Sequence, residues 1–138
     1  MGEEAPEDDS EIVKTFMESV GIAFEQDEKL LDSITGLAGS GPAYVFEFTC
    51  ALEEAARAIG LPGKLGREIA LGTVTGAAHL MQDSEMHPQE LRDQVTSPNG
   101  TTQAALESFS ADKLRTIVRH AVEAAKARSI ELSHEYLP

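Results

Sequence analysis

The helix predicted from Ala43 to Ile59 opens with Tyr44, Val45, Phe46, Phe48, Cys50, Ala51 and Leu52, which fall on most sides of the helix and not on one stripe. A surface helix keeps its apolar residues to one face, whereas a helix that is apolar nearly all round is buried on several sides. One such helix in a chain of 138 residues restricts the fold to a helical bundle or to helices that interlock with a second copy. The flanks agree with a helix there. Gly39-Ser40-Gly41-Pro42 breaks the preceding segment, and Pro42 suits a first turn because it has no N–H to leave unpaired. Gly60-Leu61-Pro62-Gly63 stops the helix. Cys50, inside the apolar run, reads as a small buried hydrophobe, since no base is placed to make it a nucleophile.

The remaining pattern is also helical. Ser10 is the predicted cap of a helix to about Val20, with Ile12, Val13, Phe16, Met17 and Val20 on one face; Gly21 ends it. Ile22 to Glu25 alternates weakly and reads as a short orphan strand. It must pair with another chain, join a minimal sheet or lose its strand form. Asp27 caps a second helix from Glu28 to about Leu37. A fourth runs from about Lys64 to Gln82, with Leu65, Ile69, Val74, Ala77, Ala78 and Met81 as its packing face. Gly72 and Gly76, one turn apart, predict close helix approach. Pro88 starts a short helix to about Val95, another covers Gln103 to Ser108, and the last runs from Asp112 to about His134. The expected class is all-α: a bundle that interlocks as a dimer.

Composition narrows the partners. Aromatic residues make up 5% of the chain and there is no Trp, so alanine and leucine build the interior, as close-packed helices require. The net charge of −13 disfavours nucleic acid and anionic membranes as partners. Ten of the 24 acids lie in the first 28 residues, with Lys14 the only base, which reads as a solvated, repelling face. The acidic amino terminus does not read as a signal peptide, and charge or glycine interrupts every apolar run, so a cytoplasmic setting is expected. His79, His87, His120 and His134 form no His-x-x-x-His pair and there is no Cys-x-x-Cys, so no metal site is expected.

The stretch Gln94-Val95-Thr96-Ser97-Pro98-Asn99-Gly100-Thr101-Thr102 carries the chemistry. Pro98 fixes a backbone angle, and Asn99-Gly100 permits left-handed or close-approach geometry. Threonines then open a helix. Free N–H groups at a helix start, beside a glycine turn and hydroxyls, suit a small anion such as a carboxylate. The same residues also read as a helix cap and nothing more.

Asp93 to Leu106 reads DQVTSPNGTTQAAL, and Thr35 to Tyr44 reads TGLAGSGPAY. Between them lie Gly60-Leu61-Pro62 and Ser84-Glu85-Met86-His87-Pro88, and the chain closes with Ala121-Val122-Glu123-Ala124-Ala125 and Arg128-Ser129-Ile130-Glu131-Leu132. In this order and spacing the chain resembles the C-terminal domain of pyrroline-5-carboxylate reductase, from about Glu7 to about Leu132. Two departures stand out. The family usually has a second Gly where Asn99 stands, and a Gly before the last helix, where this chain has Ser110-Ala111-Asp112.

The resemblance implies a reductase that converts Δ1-pyrroline-5-carboxylate to L-proline with NADPH or NADH. It implies a homodimer through the helices, a small-molecule substrate and no metal. It divides the chain into residues 1–26, the end of the nucleotide-binding domain, and residues 27–138, a helical dimerisation and substrate-binding domain. No strand followed by G-x-G-x-x-G appears, so no cofactor is expected on this chain alone, which is expected to be inactive. By the resemblance, Ser97, Gly100, Thr101 and Thr102 cradle the substrate carboxylate. Thr102 is the candidate for a hydrogen bond to the ring nitrogen, and Glu85 the candidate for balancing a cationic imine. Gln94, Val95, Gly41 and Pro42 are candidates for the nicotinamide side. The other class of function is a non-catalytic dimerisation module.

Overall fold

The computed structural model describes residues 7–136. Every regular element among them is helical. The first helix, α1, spans Glu7–Glu18. It starts before Ser10, which lies inside it and not at its cap. Ile22 to Glu25 is not a strand: residues 22–27 form no regular element. Residues 22–26 enter no backbone–backbone hydrogen bond among the described residues. A strand needs a ladder partner, and one copy of the chain supplies none.

Residues 28–39 wind as one rod in three pitches. Asp27 caps it as predicted, its carboxylate accepting the Lys29 N–H at 3.3 Å. A 3₁₀ turn, Glu28–Leu30, leads into α2, Leu31–Ile34, and a π-helical turn, Thr35–Gly39. The wide turn faces the last helix. Gly36 is buried there, and a Cβ on it would stand 3.0 Å from the Lys126 backbone nitrogen and 3.1 Å from the Val122 carbonyl oxygen. Tyr44 Oη donates to the Gly36 carbonyl at 2.7 Å, fixing the turn to the helix that follows it.

That helix, α3, spans Gly41–Ala58 with Pro42 in its first turn. It ends in a Schellman motif: Gly60 takes φ +94, the Leu61 N–H reaches the Ala56 carbonyl at 2.9 Å, and the Gly60 N–H reaches that of Arg57 at 3.1 Å. The fourth helix, α4, Gly63–Asp83, folds back against α3. The tightest approach between them falls at Gly66, where a Cβ would lie 2.9 Å from that of Ala56. Gly72 and Gly76, the predicted contact pair, have open space around them within the chain. Two short helices follow, α5 at Pro88–Gln94 and α6 at Thr101–Ala111, then the long α7 at Leu114–Tyr136. Asp112 does not open α7 as predicted. It caps the end of α6, and Lys113 takes φ +56 to make the turn where the family pattern has glycine nearby. The last helix packs along the π-helical turn and α2, and touches α6. Ser129 Oγ donates to Asp32 Oδ1 at 2.7 Å across this contact.

The interior is nearly absent in one copy. Among the described apolar side chains only Ala56 and Ala70 are buried. Phe46 is 67% exposed, and Phe48, Ile69 and Val118 are also exposed. Cys50 is exposed as well, against its prediction, because α3 packs on α4 alone along most of its length. The chain exposes 11445 Å², where a compact monomer of its mass exposes about 7,000 Å². The apolar all-round character of α3 is real, and one chain does not satisfy it.

Candidate functional site

The candidate loop lies between α5 and α6. His87 starts α5 through a capping box: its Nδ1 accepts the Gln89 N–H at 3.2 Å, and the Glu90 carboxylate accepts the His87 N–H at 2.9 Å. The helix closes at Val95, and Thr96 Oγ1 donates to the Arg92 carbonyl at 2.7 Å. Ser97-Pro98-Asn99-Gly100 then makes a tight turn, with the Gly100 N–H on the Ser97 carbonyl at 3.0 Å. Proline at the second position and positive φ at the third are the marks of a type II turn. The two permissive residues divide the work. Asn99 carries the left-handed backbone, at φ +59. Gly100 has ordinary φ, −83, and is small because the Ser97 hydroxyl occupies the space a Cβ would fill.

Gly100 is the N-cap of α6 and has no side chain to cap with. The N–H groups of Thr101, Thr102 and Gln103 therefore find no partner among the described residues. The Ser97, Thr101 and Thr102 hydroxyls are likewise unengaged. The one side-chain bond within the turn is from the Asn99 N–H to Gln103 Oε1, at 2.8 Å. Ser97 and Thr101 are exposed, and Gly100 and Thr102 half-buried. Backbone N–H donors and hydroxyls that can donate, gathered at the positive end of an 11-residue helix, suit a small carboxylate. Glycine is itself a common N-cap, so the same open N–H groups also suit a bare helix start.

Other predicted positions lie around or away from this loop. Glu85 is exposed in the turn before α5, next to Ser84, whose hydroxyl accepts the Met86 N–H at 3.1 Å. Gln94 Nε2 points to Met86 Sδ at 3.4 Å, and Val95 is exposed beside the loop. Gly41 and Pro42 sit at the head of α3, and no hydrogen bond joins them to residues 94–102. Nor does α3 pack substantially against α5 or α6 in one copy. A separate apolar groove runs between α1 and the segment after it, lined by Val13, Met17, Ile22, Phe24, Leu31 and Ile34. Among the described residues no cluster of three or more His, Cys, Asp or Glu gathers, and no helix is long and apolar enough to cross a membrane. Sequence reasoning missed Gln103 and His87. Each had a signal: a glutamine three residues into a helix, and an acid three residues after a possible cap.

A family model described as pyrroline-5-carboxylate reductase dimerisation matches residues 28–132. The chain belongs to this family. A pyrroline-5-carboxylate reductase of Arabidopsis thaliana is 43% identical over 133 residues, which are 96% of this chain and 48% of that protein. The structure of a pyrroline-5-carboxylate reductase from Coxiella burnetii superposes with a TM-score of 0.87 at 35% identity, covering 95% of this chain and 49% of that one. The Plasmodium falciparum reductase, crystallised with NADP bound, gives 0.85 at 33% identity, with 93% and 52% covered. The chain spans about half the length of the curated relatives it matches. The family model thus covers the loop, α3 and α7 as far as Leu132 in one stretch, and the helical architecture is that of the matching half of the solved pyrroline-5-carboxylate reductases.

Proposed function

We propose that this chain is the C-terminal, dimer-forming and substrate-binding part of an NAD(P)H-dependent reductase that converts Δ1-pyrroline-5-carboxylate to L-proline in the cytoplasm. The observation that carries the reading is the run of unpartnered N–H groups at Thr101, Thr102 and Gln103 behind the Ser97–Gly100 turn, within a chain that the family model covers. Ser97, Gly100, Thr101 and Thr102 hold the substrate carboxylate. Each charge-assisted bond of this kind contributes on the order of 1.5–3 kcal/mol. The Thr102 hydroxyl meets the ring nitrogen, and Glu85 balances a cationic imine from the edge of the loop. Gln94, Val95, Gly41 and Pro42 border the nicotinamide.

The dinucleotide supplies the hydride when bound. The described residues offer no strand and glycine loop to take its pyrophosphate, so they do not fit it alone. Residues 1–26 read as the end of the nucleotide-binding domain. Supporting this, Ile22 and Phe24 are 84% and 76% exposed, and the α1 face bearing Ile12 and Phe16 is uncovered.

The same chain is a homodimer in this reading. The large apolar side chains that α3, α4 and α7 leave exposed in one copy support this reading. This surface also supports a second reading, a dimerisation module without catalysis. Calorimetry of the chain with L-proline separates the two. Saturable binding that Ser97→Ala weakens supports the substrate half-site; no binding leaves the dimerisation module.

A further inference from the structure

We propose that Gln103 is a positioning residue for the carboxylate cradle: it holds the left-handed Asn99 so that Ser97 and the N–H groups of α6 point at one anion. The inference rests on the substrate reading of the loop given above. Its basis is a departure and its compensation. Asn99 stands where the family pattern has glycine, and it adopts φ +59. A side chain disfavours that backbone region, though less for asparagine than for most residues. A turn that glycine adopts freely therefore needs a restraint when asparagine occupies it.

Gln103 supplies the restraint. Its Oε1 accepts the Asn99 N–H at 2.8 Å. Its Nε2 donates to Glu107 Oε1 at 2.8 Å, one helical turn further on, so the amide is held at both ends with its oxygen toward the loop. The arrangement is a capping box displaced by one residue, since the bonded N–H belongs to the residue before the N-cap. Both ends of the Gln103 side chain are engaged within the chain, which fixes the direction of the amide toward the loop. Its influence passes through Asn99 to Gly100, whose N–H closes the turn on the Ser97 carbonyl.

The consequence for binding is a population. A ligand that requires the closed turn binds with an affinity reduced by the fraction of molecules in which the turn is closed. With Gln103 the turn is held before the anion arrives. Without it the Asn99 N–H exchanges the glutamine for water, and the strained asparagine drifts to other conformations. Glycine at 99 removes the strain, and with it the dependence on Gln103.

The test is a cycle on the full chain: Gln103→Leu, Asn99→Gly and the pair, with Ser97→Ala as the direct-contact control. Amide exchange at residue 99 is read by NMR, and L-proline affinity by calorimetry. We expect Gln103→Leu to speed Asn99 exchange about tenfold and to weaken L-proline about fivefold. In the Asn99→Gly background the same change should move affinity less than about twofold, a coupling between neighbours that a merely structural helix residue does not give. Equal losses in both backgrounds, or unchanged Asn99 exchange, overturn the assignment. If Ser97→Ala weakens binding and Gln103→Leu does not, the role of Gln103 alone fails. If Ser97→Ala leaves the affinity unchanged, the substrate reading of the loop fails, and the binding role of Gln103 with it.

Discussion

Gly36 and Lys126 sit against each other so closely that a single methyl group on Gly36 would stand 3.0 Å from the Lys126 backbone nitrogen. The neighbouring Val122 carbonyl oxygen and Lys126 Cα lie at 3.1 and 3.2 Å, so the intruder would meet the backbone of α7. Backbone in the middle of α7 does not swing aside as a side-chain end can. Gly36→Ala should therefore destabilise the chain by about 1–3 kcal/mol, the range for an overpacked site. Chemical denaturation checks this. An unchanged midpoint would mean that α7 slides along the π-helical turn at no cost.

The glycines of α4 give the opposite prediction for one copy and for two. Nothing lies within 4 Å of a Cβ built on Gly72 or Gly76 in the single chain. If the chain worked alone, Gly72→Ala and Gly76→Ala would each stabilise the helix by roughly 0.5–1 kcal/mol. If a second copy packs on this stripe, both should weaken association by about 1–3 kcal/mol. Sedimentation across a concentration series reads the difference. We expect the unmodified chain to be a dimer or larger at micromolar concentration and the alanine variants to dissociate more readily.

Much of this was legible because it is local. Asp27, Pro42 and Gly60 act on their own turns, and each punctuates the chain where its chemistry requires. The all-round apolar pattern of α3 predicts burial on several sides, and in one copy Val45, Phe46 and Phe48 are exposed instead. What failed depended on non-local partners. Cys50 lies in an apolar run yet is exposed, because burial there needs atoms that one chain does not contain. The Ile22–Glu25 strand lacks a ladder for the same reason. Within one chain Gly66 meets Ala56 while Gly72 and Gly76 stay open, since where two helices of a chain cross is set by the turn between them and not by the spacing of small residues. In the loop, proline and glycine announced a turn. Which of Asn99 and Gly100 carries the left-handed backbone was not written in the sequence, because Asn tolerates it and Gly accepts either.

The 138 residues by themselves should show no NADPH-dependent formation of proline from Δ1-pyrroline-5-carboxylate. Placing the hydride donor accounts for much of the rate in such a reaction, on the order of 7–11 kcal/mol where geometry is fully set. The described residues offer the dinucleotide's pyrophosphate no glycine loop after a strand. Loss of NADPH absorbance above the enzyme-free rate, with matching proline, would show that this expectation is wrong.

Gly100 and Thr102 allow cap and cradle to be told apart without reference to one another. At Gly100 the backbone is ordinary, with φ −83, so alanine is not strained there. Its methyl would instead displace the Ser97 hydroxyl, whose oxygen occupies that space. Gly100→Ala should therefore weaken L-proline by about 1–2 kcal/mol, roughly five- to thirtyfold, by moving one donor out of line. Thr102→Val keeps the shape and removes the hydroxyl, and should weaken binding by a similar amount. Since Thr102 makes no side-chain cap in the free chain, its loss should leave the melting temperature nearly unchanged. The cap reading expects the reverse, a stability loss of about 1 kcal/mol and an affinity left intact. Calorimetry and thermal melts on the same two variants decide between them. Intact affinity in both would remove the loop from the substrate site.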